Sequence, residues 1–247
     1  MQRRDLALAA AGLLIAWEIV ALIVHVDVLP DPIAVGVAFV HALPNGLAWH
    51  FLVSAWRVVA SVVLAVATGV PAGLALGQSP RLNRLFSPII YILYPIPKIV
   101  FLPIILLFLG IAERSKIFII FLVLFFQILV VVRDEASALR PELIYSVRSL
   151  GAGRRALFRF VYLPATVPAA LTALRISVGT AIAVLFFAES FATTSGLGYY
   201  IIVESWGRLA YPEMYAGVAA MSLLGLMLYF VVDRLQRWLA PWMFIRG

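Results

Sequence analysis

The sequence predicts an all-α, polytopic membrane protein with six transmembrane helices. Three observations predict it. The 247-residue chain is 64% hydrophobic and 13% charged, whereas a soluble domain is about a quarter charged. Six apolar stretches approach the ~20 residues that a helix needs to cross hydrocarbon, where an open sheet edge is not tolerated. The basic residues, which give a net charge of +7, gather at the ends of these stretches. That is the positive-inside pattern, not the solvated basic face of a nucleic-acid binder.

The spans are expected at about 6–26, 52–77, 86–109, 116–132, 165–188 and 213–232. The first follows Arg3 and Arg4. It is longer than a signal-peptide core and no small-x-small cleavage site follows it, so it reads as a retained span. Glu18 within it argues that this helix faces protein as well as lipid. On the outer side, Pro30 and Pro32 suit the start of a short helix, with Trp49 and Trp56 near the interface.

Span three carries Pro95, Pro97 and Pro103 around Lys98, so its helix is expected to break. A packing kink and a break that lines a cavity both fit. If the spans alternate, 13 of the 19 basic residues fall on one side. They are Arg3, Arg4, Arg81, Arg84, Arg133, Arg140, Arg148, Arg154, Arg155, Arg159, Arg234, Arg237 and Arg246. Arg114, Lys116 and Arg208 fall on the other. Both termini are therefore expected in the cytoplasm. With no repeat and no low-complexity linker, one transmembrane domain over 1–247 is the simplest organisation, with a cytoplasmic loop at about 133–164.

That loop has its own pattern. Pro141 suits a first helical position, with Glu142 at the favourable N-terminal end. Leu143, Ile144, Val147 and Leu150 form one apolar stripe, and Gly151 is a natural stop. A second short helix, about 153–161, is expected to expose Arg154, Arg155 and Arg159 before Leu163-Pro164 opens span five. Helices this short need something to lie against. Lipid headgroups and a soluble partner both fit.

Several chemistries are excluded. There is no cysteine, so no disulfide, thiolate nucleophile or Cys-based metal site exists. The two lysines, Lys98 and Lys116, lie outside any G-x-x-x-x-G-K phosphate loop. No ATP site of that type is present, and energy for pumping must come from a partner. His25, His41 and His50 all lie in the first outer region and form no H-E-x-x-H, which argues against an intramembrane enzyme. One broken span without a matching second one argues against an ion-coupled secondary transporter.

Charges within or near spans are the candidate substrate path: Arg57, Lys98, Arg175 and Glu189. Lys98 and Arg175 would lower the barrier for an anion, while Arg175 paired structurally with Glu18 or Glu189 is the alternative. Gly196 and Gly198 in TTSGLGYYI are candidates for a re-entrant outer gate, with an ordinary outer turn as the alternative.

The loop resembles the "EAA" loop of ABC importer permeases: Glu-Ala-Ala, three residues, Gly, nine residues, an aliphatic residue, any residue, Leu-Pro. Here Gly151 is followed by nine residues and then Val161-Tyr162-Leu163-Pro164. Tyr145-Ser146-Val147 stand at the Glu-Ala-Ala positions, so the carboxylate that names the motif is missing. LPDPIAVGVAFV, YPIPKIVFLPIILLFLGIAERSKI, RSLGAGRRALFRFVYLPATVPAALTALRISVG and AESFATTSGLGYYI extend the resemblance, to the nitrate/sulfonate/taurine branch.

The resemblance implies a type I ABC importer permease fold in a bacterial inner membrane. It implies a second permease copy, two cytoplasmic ATPases that hold ATP and Mg, and an external substrate-binding protein. It implies no cofactor on this chain. The implied coupling residues are Glu142, Tyr145, Ser146, Arg148, Gly151, Ala152, Arg154, Arg155, Leu163 and Pro164. The implied cargo is a small anionic solute such as a sulfonate, taurine or nitrate; a riboflavin- or thiamine-precursor-type vitamin or an aromatic acid is the alternative.

Overall fold

The computed structural model describes residues 3–244, and the described residues hold no strand. In chain order the α-helices are α1 (Arg3–Val24), α2 (Pro32–Ala42), α3 (Ala48–Gln78), α4 (Pro80–Leu93), α5 (Leu102–Leu109), α6 (Glu113–Ser137), α7 (Pro141–Ser149), α8 (Arg154–Leu157), α9 (Leu163–Ser190), α10 (Leu197–Tyr199) and α11 (Tyr211–Leu239). Arg246 lies outside the described residues.

Four helical stretches are long and apolar enough to cross a membrane: Pro32–Gln78, Glu113–Ser137, Arg154–Ser190 and Tyr211–Leu239. A fifth is the pair Pro80–Leu93 and Lys98–Leu109, bent by 81°. The region expected as span one is α1, whose described apolar stretch, Leu8–Val24, is shorter than a full span. All six expected regions are thus helical, as four spans, a broken one and a shorter apolar helix.

The chain divides into two compact units, one reaching Ala55 and taking in Glu189–Leu224, the other Trp56–Ala188 with the stretch from Gly225. In the first unit, Asp31 caps α2 by accepting the Ala34 N–H at 2.8 Å, and Pro32 fills the first helical position. The short outer helix is therefore where the sequence places it. Asn45 and Gly46 then leave helical geometry, and Gly46 has φ +112°, a conformation that favours glycine. Trp17 fastens α1: its indole N–H donates to the Pro30 carbonyl at 3.1 Å, and its ring lies 5.8 Å from that of Tyr215.

In the second unit, α6 is packed on both sides of its apolar stripe, burying Ile119, Ile120, Leu124, Ile128 and Val132. α3 offers it Gly69, Gly73 and Gly77, four residues apart and therefore on one face. A Cβ at Gly73 would stand 2.8 Å from the Leu129 carbonyl, and one at Gly77 would stand 2.5 Å from the Ala136 Cβ. The two backbones approach this closely because nothing projects between them. The break in span three falls at residues 94–97, between α4 and a tight turn over Lys98–Phe101, as the three prolines predict.

One expectation is corrected. The second short helix expected at about 153–161 is not separate: Arg154–Ser190 is a single helical stretch. Pro164 has no N–H to give the preceding turn, and a wider turn over Phe158–Tyr162 absorbs the defect, with the Leu163 N–H reaching the Phe158 carbonyl. Leu-Pro marks a loosened turn inside the helix, not its start.

Candidate functional site

The first unit is organised around the connection from α9 to α10. Glu189 ends α9 and is fully buried. Its carboxylate accepts from the Ser54 hydroxyl at 2.8 and 2.9 Å and from the Gly198 N–H at 3.0 Å. The Ser54 oxygen in turn accepts the Leu197 N–H at 2.8 Å, and His50 Nδ1 accepts the Gly196 N–H at 3.0 Å. Three consecutive backbone donors are thus gripped by three side chains, two of them, His50 and Ser54, more than 140 residues away in sequence.

Because Nδ1 accepts, the proton of a neutral His50 sits on Nε2, 3.4 Å from Glu204. Gly196 has φ +111°, which the turn needs before α10 can begin. The residues that follow rest on α11, where a Cβ on Gly217 would meet Ile201 at 2.7 Å. Burial pushes the Tyr200 phenol above its ordinary range. Gly196 and Gly198 therefore belong to a pinned, buried turn. His50 and Ser54, four residues apart on one face of α3, are the partners that sequence reasoning missed.

The second unit holds the other path candidates. Arg57, 1% exposed, donates through Nε and NH2 to the two Glu113 oxygens at 2.8 and 2.5 Å, a forked pair joining α3 to the start of α6. Arg175 pairs with Asp233 of α11 at 3.3 Å, and Asp233 also accepts from Arg237 at 3.0 Å. The carboxylate beside Arg175 is thus Asp233, not Glu18 or Glu189. The i,i+4 spacing of Asp233 and Arg237 marks a charged helix face, but nothing in it points to Arg175.

Lys98 stands apart from these pairs. Its Nζ donates to the Tyr94 carbonyl at 2.5 Å and lies 4.8 Å from the centre of the Phe126 ring, with no ion pair among the described residues. It lines a cavity of about 360 Å³ with Tyr94, Phe126, Gln127 and Thr180. The break in span three is therefore a cavity-lining break.

The loop between α6 and α9 is built in the opposite manner. α7 buries no residue. Leu143, Tyr145 and Leu150 are 46%, 65% and 87% exposed. Its side-chain hydrogen bonds are local, from the Ser146 hydroxyl to the Glu142 carbonyl and from the Ser149 hydroxyl to the Ser146 carbonyl. Gly151 takes φ +82° and turns the chain through Ala152 and Gly153 into α8, where Arg154 and Arg155 are exposed and Leu157 is buried. Glu142 and Arg148 are exposed as well, whereas Leu163 and Pro164 are half-buried in the continuing helix.

The chain belongs to the family described as binding-protein-dependent transport system inner membrane component, which it matches over residues 66–245. It is 35% identical over 194 residues to the taurine transport system permease protein of Escherichia coli, covering 78% of this chain and 70% of that one. It is 27% identical to the formylaminopyrimidine transport permease protein of Halalkalibacterium halodurans, over 93% of this chain and 92% of that one. Its fold matches a chain of the MetNI methionine ABC transporter in an inward-facing conformation, with a TM-score of 0.64 and 21% identity over 78% of this chain and 95% of that one. The chain is thus a permease component of an ABC import system, the kind of subunit that is not itself catalytic.

Proposed function

We propose that this chain forms the membrane pathway of an ATP-driven importer for a small organic anion, working as a dimer with two cytoplasmic ATPases and an external binding protein. One observation carries the coupling: α7, too short to stand alone, buries no residue and exposes Leu143 and Leu150 at the edge of its apolar stripe and Tyr145 on another face. An ATPase surface that covers Leu143, Tyr145 and Leu150 completes that helix. Both termini lie on the same, cytoplasmic side, as the arginine asymmetry requires.

ATP-driven closure of the ATPases moves α7, and α7 is joined to α6 and through α8 to α9. The pathway then alternates between its two faces, a two-state element biased by nucleotide on one side and loaded binding protein on the other. Glu142, Tyr145, Ser146, Arg148, Gly151, Ala152, Arg154 and Arg155 form the contact surface, and Leu163 and Pro164 carry its motion into the membrane. Lys98 attracts the anion. Arg57, Arg175 and Glu189 hold the framework around the path, and the pinned turn at Gly196 and Gly198 closes it outside.

The similarity to the taurine permease supports a sulfonate cargo, and the similarity to the formylaminopyrimidine permease supports a vitamin-precursor cargo as the second reading. The coupling is tested by co-purifying the chain with its neighbouring ATPase in mild detergent. Wild type is expected to retain the ATPase. Gly151→Leu, and Arg154→Glu with Arg155→Glu, are expected to lose it. Retention that ignores these variants overturns the coupling role.

A further inference from the structure

Four helices of the second unit, α3, α6, α9 and α11, meet around a cavity of about 180 Å³, and every side chain that lines it is apolar. Its floor is buried: Leu124 of α6, with Leu174, Val178 and Ala181 of α9. Its rim is exposed: Val59 and Val63 of α3, with Val231 and Leu235 of α11. The cavity therefore opens sideways, between α3 and α11. All four helices belong to stretches long and apolar enough to cross a membrane. An apolar cavity of about this size stays dry and admits an apolar guest. It is closed to water and to a charged cargo alike.

Charge gathers at one end of it. α9 and α11 run antiparallel in a register held by two contacts: Arg175 pairs with Asp233 at 3.3 Å, and the Gln236 amide donates to the Thr172 hydroxyl at 3.0 Å. In that register the cavity runs along 174–181 of α9 and 228–235 of α11, and the Arg175–Asp233 pair marks its end nearer the C-terminus of α11. Arg237 shares the Asp233 carboxylate, and Arg234 is exposed with no ion pair among the described residues. Three arginines against one aspartate leave this end net positive. Arg234 stands three residues from Val231, and exposed Trp238 three from Leu235, so both continue the rim face of the helix. Arginine and tryptophan at the end of an apolar face mark the level of lipid headgroups.

We propose that this cavity is a binding site for an anionic membrane phospholipid: one acyl chain enters between α3 and α11, and the phosphate of its headgroup lies against Arg234 and Arg237. Lipid tails are as apolar as leucine, so filling the cavity supplies packing contacts without choosing among lipids. The choice is made at the headgroup, where each arginine favours negative charge by about fivefold. The site is independent of the cargo and of the ATPase contact, and requires only that the four helices span a membrane.

The permease–ATPase complex is placed in phosphatidylcholine nanodiscs doped with phosphatidylglycerol or phosphatidylcholine that carries a diazirine in one acyl chain. After illumination, labelled peptides are mapped by mass spectrometry. Phosphatidylglycerol is expected to label the rim and floor of the cavity, at least tenfold more than phosphatidylcholine does. Arg234→Gln is expected to lower that labelling about fivefold, and Arg234→Gln with Arg237→Gln to bring it to the phosphatidylcholine level. Ala181→Leu fills the floor and is expected to abolish labelling there. Val63→Trp plugs the mouth from an exposed position, so it tests the cavity even where Ala181→Leu fails to fold.

No labelling of the cavity residues, or labelling unmoved by Val63→Trp, overturns the site. Equal labelling by the two lipids overturns its headgroup choice, and the proposal with it. The chain has no cysteine of its own, so Val63→Cys also reports what covers the mouth. Crosslinking of that cysteine to a second permease copy in membranes puts protein there in place of lipid and overturns the proposal.

Discussion

The connections after α6 and after α9 solve opposite problems. The turn at 191–199 ties the N–H groups of Gly196, Leu197 and Gly198 to His50, Ser54 and Glu189, in two cases across more than 140 residues of sequence. The helix α7 has only local side-chain bonds and buries nothing. Backbone polar groups buried in a finished structure are paired, and apolar side chains are covered. The first connection pairs its buried N–H groups by itself and leaves one large apolar side chain, Phe191, exposed. The second leaves a leucine, a tyrosine and another leucine uncovered. The proposed ATPase contact is what would cover them.

That contrast predicts a ranking of effects. Glu189→Ala removes the acceptor of two donors at a fully buried site and is expected to cost about 3 kcal/mol, at ~1–3 kcal/mol per unsatisfied group. Limited proteolysis should then cut within 191–196, and the melting temperature in detergent should fall.

Gly196→Ala is next, at roughly 1–3 kcal/mol for backbone strain at φ +111°. Its counterpart Gly151→Ala, at φ +82° with open space where the Cβ would go, costs about 1–2 kcal/mol and should not spread beyond the loop. Thermal unfolding of both variants measures the difference. Ser54→Ala strands the buried Leu197 N–H and should cost about 1–3 kcal/mol by the same assay, because water is excluded from a site that is 0% exposed.

Leu150→Ser should change the stability of the purified chain by no more than ~0.5 kcal/mol, yet lower ATPase retention at least tenfold. If Leu150→Ser loosens the chain as much as Glu189→Ala does, the two connections are alike and the contrast collapses.

The sequence made the architecture legible wherever a pattern is local. Apolar length marks the spans, prolines mark the break at 94–97, and Gly151 ends α7 as its position suggests. Pairings between distant residues were not legible. Glu113 sits beside Arg114 and Lys116, so its charge reads as part of a basic cluster, and only the fold brings Arg57 to it. Asp233 is spaced for Arg237, and its second partner, Arg175, comes from another helix. Gln127 is one polar residue in an apolar run, and nothing in that run shows that its side-chain oxygen is buried without a hydrogen-bond partner among the described residues. The continuous helix through Pro164 was hidden for a different reason: proline changes the winding of a turn, and its spacing cannot say whether the helix stops or merely widens.

The glycine face of α3 has a mechanical consequence. With the Gly73 and Gly77 positions in backbone contact with α6, neither helix can slide along the other without driving side chains into a carbonyl. The low-cost motion for the pair is to turn together. Three residues separate the end of α6 from α7, so on the proposed coupling a push on α7 would reach α3 and α6 as one stiff pair. Bulk added at Gly73 or Gly77 would then slow transport while leaving both the α7 surface and the cargo contacts unaltered.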